Sequence, residues 1–209
     1  MTRPAEWLPL FKLALRILSR ERIPNSQWSF GGGTALMTYY NHRRSKDVDI
    51  FLHDVQLLTR FTPRLNDFVA ERVDDYTEMS NFLKLRKGKQ EIDFIVAPSL
   101  TQKPFLRKTI GGSRVNIETP EEIVIKKIFY RAETFKTRDV IDMAVVISDR
   151  AAGLLENIVV YESKIPILRD RLKILKKVYS AEVRALDIID RRIAEDALKI
   201  VAEFVEEVA

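Results

Sequence analysis

"WSFGGGTALMTYYNHRRSKDVDIFLHD", Trp28 to Asp54, is the stretch on which the reading of the whole chain turns. It places three of the chain's seven glycines, Gly31, Gly32 and Gly33, together, and further on it sets two aspartates either side of Val48. "QWSF" reads as a short strand, "TALMTYYN" as a helix opening from the glycine turn, and "DVDIFL" as a second strand. Side chains alternate along a strand, so Asp47 and Asp49 share one face while Val48 and Ile50 enter the core. Two like charges that close are unfavourable unless a cation sits between them. Hard oxygen ligands suit magnesium, and in-line phosphoryl chemistry uses paired divalent ions. Upstream, glycines let backbone amides approach a phosphate, the helix start adds its positive dipole end, and Thr34 brings a hydroxyl. Each piece alone has an ordinary explanation, because a glycine run is more often a plain turn and a lone D-x-D a strand-end feature. Their order along the chain is what points to a phosphate cradle facing a metal site.

A carboxylate pair of this kind needs a third acid from a neighbouring strand. Asp93 in "EIDFIVA" is well placed, with Ile92 and Phe94 on the opposite, buried face. Glu91 shares its parity, as a bystander or an alternative. The surrounding "NFLKLRKGKQEIDFIVA" reads as a hairpin turning at Lys87-Gly88-Lys89. Between these segments "VQLLTRFTPRLNDFVAERV" reads as mostly helical, with a break near Pro63. "RVNIE" reads as one further short strand. "TPEEIVIKKIFYRAE" then signals a helix, with Thr119 as cap, Pro120 at the first helical position and Glu122 completing a capping box. "RDVIDMAVVIS" continues as another helix. Beyond about residue 153 the chain reads as helical, with Leu168, Leu172, Leu175, Tyr179, Leu186, Ile189 and Ile193 forming one apolar stripe.

The 209 residues suffice for a sizeable core, and 46% hydrophobic with 31% charged content describes a soluble globular chain. No apolar run approaches the roughly 18 residues that span a bilayer, so no membrane partner is expected. The segment "AEWLPLFKLALRILSR" carries Glu6, Lys12 and Arg16 at helical spacing, which argues for an amphipathic helix ending before Pro24. Zero cysteines exclude disulfides and thiolate metal sites and fit a cytoplasmic location. A net charge of +5 permits a polyanionic partner without requiring one. No linker composition marks a domain boundary, and the expected division is soft: an α/β core over 1–118, and a helical region over 119–209 that completes the cleft.

"GGTAL" at 32–36, followed by "HRRSKDVDIF" at 42–51, resembles the AbiEii/AbiGii-type nucleotidyltransferase toxins of the DNA polymerase β-like superfamily. "EEIVIKKIFYRAETFKTRDVIDMA" resembles the family's second signature, a helical lysine followed by Arg-Asp-x-x-Asp. The resemblance covers roughly residues 28–145. It implies an α+β fold, a polymerase β-like mixed sheet flanked by helices and followed by a C-terminal helical region. It places Gly32, Gly33 and Thr34 at the nucleotide phosphates and Asp47, Asp49 and Asp93 on the metal ions. Asp93 is also a candidate general base. Lys127, or Lys126 if the register shifts by one, would neutralise triphosphate charge, and Asp139 with Arg138 beside it matches the fourth motif. The implied activity is transfer of a nucleotide from an NTP with release of pyrophosphate, using Mg2+ or alternatively Mn2+. The implied acceptor is an RNA end such as a tRNA 3′ end, or a protein hydroxyl. The implied setting is a growth-inhibiting toxin with a cognate antitoxin. A drug-modifying enzyme of the same fold and a non-catalytic nucleotide- or RNA-binding module are the competing readings.

Other residues divide between roles. Ser45 is balanced between a triphosphate contact and a cap, and Arg43 leans structural. His42 at a helix end reads as a cap, and His53 has no second histidine for a transition-metal site. Asp142 shares a helix face with Asp139 and leans structural. Arg169, Arg171, Lys173, Lys176 and Lys177 read as a solvated helix face, with an RNA backbone as the alternative. Of Phe129, Tyr130 and Phe135, two are expected in the core.

Overall fold

Leu10, Phe11, Leu13, Ala14, Ile17 and Leu18 recur every three or four residues, and this stripe is the buried face of helix α1 (Leu8–Arg20). The computed structural model describes residues 6–208, so Ala5, at the head of the helix expected from the sequence, lies outside the described residues. The chain divides into two compact units. The first holds the chain up to Ala35, Ser45–Ser99 and Phe105–Glu118; the second holds Leu36–Arg44, Leu100–Pro104 and the chain from Thr119 onward.

The first unit is built on strands β1 (Trp28–Gly31), β2 (Val48–Leu52), β3 (Asp75–Glu78), β4 (Phe82–Lys87), β5 (Gln90–Val96), β6 (Phe105–Ile110) and β7 (Ser113–Glu118). They form one mixed sheet in the order β3-β4-β5-β2-β1-β7-β6. The β2–β5 and β1–β7 pairs are parallel, and the remaining pairs are antiparallel. Alternation assigns the faces: Val48, Ile50, Ile92, Phe94, Leu83 and Leu85 are fully buried, while their neighbours Asp49, Asp93 and Lys84 are half-buried on the other side. On the apolar side Phe11 of α1 meets Phe30 with ring centroids 4.6 Å apart, and Trp7 stacks on the same ring at 5.7 Å. Each such ring contributes roughly 1.5–3 kcal/mol by burial.

The β4–β5 hairpin turns where the glycine signal put it, with Gly88 at a φ of 59°. Helix α2 (Gly32–Tyr40) opens directly from β1. The segment expected to be mostly helical around Pro63 is less regular. After a 3-10 turn, α3 (Leu58–Phe61) stops at extended Thr62, and α4 (Asp67–Ala70) restarts under an Asn66 cap. Proline disfavours a helical conformation in the residue before it, and Thr62, ahead of Pro63, is extended, which splits the segment. Strands β3 and β6 were not foreseen. "DYTE" and "FLRKTI" lie at the two edges, where one side of the backbone lacks a partner strand and polar side chains are tolerated.

The second unit contains α5 (Pro120–Arg131), α6 (Thr137–Leu155), α7 (Ile158–Tyr161), α8 (Ile165–Lys176), α9 (Tyr179–Ala185) and α10 (Arg191–Glu207). Thr119 caps α5 by accepting from the Glu122 amide. The Glu122 carboxylate does not return to the cap: it accepts from the amides of Leu100 and Thr101 and from the Thr101 hydroxyl, and pairs with Lys126 at 3.2 Å. A fully buried carboxylate takes the donors that satisfy it best, and the 100–101 backbone offers more than the cap does. The C-terminal stripe holds as far as Tyr179, with Leu168, Leu172 and Leu175 buried. It fails beyond, because the helix breaks at Leu186, whose backbone is extended, and Ile189 is 40% exposed. Ala194, Ala197, Val201, Phe204 and Val205 of α10 complete this core instead, and α10 packs along α6.

Candidate active site

In the first unit the sheet aligns one row of functional side chains. Asp49 on β2 lies opposite Asp93 on β5, and Asp93 lies opposite Lys84 on β4. On the other side Asp49 faces Gly31 of β1. Asp47, just before β2, takes a hydrogen bond to Oδ1 from the Glu91 amide at 3.1 Å. The sheet therefore sets Asp49 and Asp93 side by side on adjacent strands, with Asp47 just ahead of β2 beside them.

Glycine is required where the row meets the turn. Gly32 has a φ of 69°, and a Cβ there would fall 1.9 Å from Asp49 Oδ2. Gly31 is constrained by space: its Cβ would lie 2.2 Å from the Glu118 carboxylate and 2.6 Å from Phe51. Glu118 is 1% exposed and accepts from Ser29 Oγ at 3.1 Å. Neither Glu118 nor Lys84 was singled out from the sequence. Lys84 was readable by counting back from the two-residue turn, Lys87 to Gln90, Arg86 to Glu91, Leu85 to Ile92 and Lys84 to Asp93. Glu118 carried no local signal, because its proximity depends on the distant pairing of β1 with β7.

Thr34 departs from the expected phosphate contact. Its hydroxyl is fully buried, bonds the Asp47 carbonyl at 2.5 Å and lies 2.8 Å from Ser45 Oγ. Its role here is to hold the Ser45–Asp47 segment against the start of α2. The electrostatics of the row are uneven. Burial raises the Asp93 carboxyl above its ordinary range, and the Lys84 ammonium 3.1 Å from Oδ2 only partly offsets this. Glu91 is lowered by its hydrogen bond to Lys84. Asp93 Oδ1 is buried and has no hydrogen-bond partner. Among the described residues no group of three or more His, Cys, Asp or Glu side chains is disposed to hold a metal ion. In donor chemistry the row nevertheless fits a hard divalent cation: adjacent carboxylates with one buried, unsatisfied oxygen.

In the second unit the remaining expected residues form a buried ion cluster. Asp142, fully buried, accepts from Arg43 Nε and Nη2 at 2.7 Å each, from His42 Nε2 at 2.7 Å and from Lys127 Nζ at 2.5 Å. Asp139 accepts from Lys127 at 2.7 Å, from Arg131 at 2.5 Å and from the Lys136 amide. Burial alone would raise both carboxyls. Arg43 and Lys127 outweigh it at Asp142 and hold that group well below its ordinary value. Lys127 and Arg131 do the same, to a lesser degree, for Asp139. Lys127, expected to be available to a triphosphate, is 7% exposed with its charge already shared between two aspartates. Lys126 is engaged by Glu122, whereas Arg138 is exposed beside the cluster. His42 spends its Nε2 on Asp142 rather than capping its helix. In the basic group, Arg171 donates to the Phe135 carbonyl at 2.8 Å, while Lys173, Lys176 and Lys177 are exposed. Phe135 is fully buried and Tyr130 is 50% exposed.

A structure from H. pylori described as a nucleotidyltransferase is 18% identical over 99% of this chain and 96% of its own, with a TM-score of 0.57. The structure of ANT(2")-Ia in complex with adenylyl-2"-tobramycin is 15% identical, covering 75% of this chain and 95% of its own, with a TM-score of 0.54. A search of curated proteins gave no match. The two structural likenesses establish a nucleotidyltransferase fold. Residues 16–187 match the family described as nucleotidyl transferase AbiEii toxin, type IV toxin–antitoxin system. With that match over most of its length, the chain belongs to the AbiEii nucleotidyltransferase family.

Proposed function

We propose that the protein is a metal-dependent nucleotidyltransferase that moves a nucleotide from an NTP onto an RNA end, such as a tRNA 3′ end. We further propose that it acts as the toxin of a pair with a cognate antitoxin. The observation that carries this reading is the row in which Asp49 and Asp93 stand opposite each other beside the Gly32 turn, with Asp47 next to them. Asp47, Asp49 and Asp93 would hold Mg2+ or Mn2+. Bound there, such an ion lowers the pKa of an attacking hydroxyl and offsets charge on departing pyrophosphate.

The chain's own residues supply the rest. The amides of Gly32 and Gly33, at the N-terminus of α2, receive phosphate oxygens, and Gly32 leaves room for Asp49 beside them. Thr34 fixes the backbone that delivers Asp47, with Ser45 at the rim of the same turn. The raised Asp93 carboxyl, with its unsatisfied Oδ1, is the group suited to take the proton of the attacking hydroxyl. Lys127 and Asp139 enter as positioning residues, because their charges are already matched within the ion cluster. A net charge of +5 and the exposed lysines Lys173, Lys176 and Lys177 suit a polyanionic acceptor.

The test is incubation with each labelled NTP, magnesium and total cellular RNA, comparing wild type with Asp49→Ala. Label should pass to RNA with the wild type alone. Label on the protein itself, or on an added aminoglycoside instead of RNA, would replace the RNA acceptor. An absence of NTP binding by either variant would remove the nucleotidyl-transfer reading of this site.

A further inference from the structure

Crowded carboxylates repel one another whenever no cation lies among them, and the first unit carries its own answer on β4. Leu83 and Leu85 are fully buried on the apolar face, which fixes Lys84 on the acidic one. The Lys84 ammonium lies 3.1 Å from Asp93 Oδ2 and also bonds Glu91 Oε2. With side-chain exposures of 23% and 20%, Lys84 and Asp93 are largely shielded from water, so the charge-assisted bond is not a solvated surface pair. Glu91 offers a second seat for the lysine and is itself supported by Arg86 at 3.5 Å. An ammonium and a divalent cation on one carboxylate compete, because they draw on the same negative charge and repel each other at close range.

We propose that Lys84 is a resident counter-ion of the acidic row. It bridges Asp93 and Glu91 when no metal is bound and stays on Glu91 alone when a divalent cation takes Asp93. The proposal rests on the metal reading given above. Lys84 touches no reacting atom in this scheme and is a positioning residue. Two substitutions should shift metal affinity in opposite directions. Lys84→Met keeps an apolar stem of similar length but removes the competitor, so Mn2+ should bind about tenfold more tightly. Glu91→Gln weakens the second seat, leaves the lysine on Asp93 and should weaken Mn2+ binding by a similar factor.

Mn2+ binding to the full chain is followed by electron paramagnetic resonance of the free ion, and melting is recorded in chelator and in Mn2+. The expected pattern is binding by the wild type, its loss in Asp49→Asn, tightening in Lys84→Met and weakening in Glu91→Gln. Lys84→Met should also melt lower in chelator and gain more from Mn2+ than the wild type does. Both variants within twofold of wild type, or both shifted the same way, would overturn the role. If Lys84→Met does not fold, unchanged or tighter binding by Glu91→Gln overturns it and weaker binding upholds it. Failure of the wild type to bind Mn2+, or equal binding by Asp49→Asn, removes the metal reading itself and the counter-ion role with it.

Discussion

Replacing Asp142 by alanine should destabilise the protein by about 3–5 kcal/mol, the cost expected when one partner of a buried ion cluster is removed. Asp142 is fully buried and serves three basic side chains: Arg43 in a two-pronged contact, His42 through Nε2, and Lys127. Without it, Arg43 loses its two-pronged carboxylate partner, its contact to the Arg44 carbonyl being a long 3.3 Å, and Lys127 must rely on Asp139. The cost is that of leaving cations in a low-dielectric interior, and it exceeds whatever the intact cluster contributes relative to apolar residues. Urea denaturation is the direct measurement, and a drop in melting temperature of roughly 10 °C should accompany it. Acid should act in the same direction. Asp139 and Asp142 are both held below their unfolded value of about 3.9, so their stabilising contribution is present above that value. It is lost as the pH falls through the depressed folded values. The wild type should therefore weaken steeply in acid, and Asp142→Ala should show a shallower acid limb in denaturation curves.

Gly32→Ala should lower nucleotidyl transfer by about a hundredfold or more while leaving the protein folded. Two effects combine. The backbone at φ 69° disfavours any side chain, by roughly 1–2 kcal/mol. The new methyl would also fall 1.9 Å from Asp49 Oδ2, so the carboxylate must move by more than an ångström. Displacements of that size at reacting groups are what cost two orders of magnitude. Steady-state transfer with a labelled NTP, set beside a urea curve, separates the two effects. A variant that is folded and fully active would show that Asp49 need not occupy its observed position.

The comparison of sequence with structure divides along physical lines. Alternation over 47–52 and 91–94 correctly placed Asp49 and Asp93 on one face, because a half-buried strand writes its orientation into every second residue. The N-terminal helix and the α5 start were legible for the same local reason, a stripe in one case and a cap with proline in the other. What was not legible depended on partners remote in sequence. Thr34 looked like a phosphate ligand until its hydroxyl was found on the Asp47 carbonyl. The resemblance set Lys127 at a triphosphate and Asp139 in the fourth motif, and only the fold brings Arg43, Arg131 and Asp142 around them. Edge strands β3 and β6 escaped because edges lack the apolar alternation that reveals a central strand.

The contact between Gly31, Phe51 and Glu118 has a genetic meaning. Three residues far apart in sequence share one space, and the first can gain volume only if another gives some up. Gly31→Ala should be a strong loss-of-function lesion, and Glu118→Gly or Phe51→Leu should arise among its intragenic suppressors. Across related chains, residue size at these three positions should drift together. A side chain at position 31 should appear only beside a shortened one at 51 or 118.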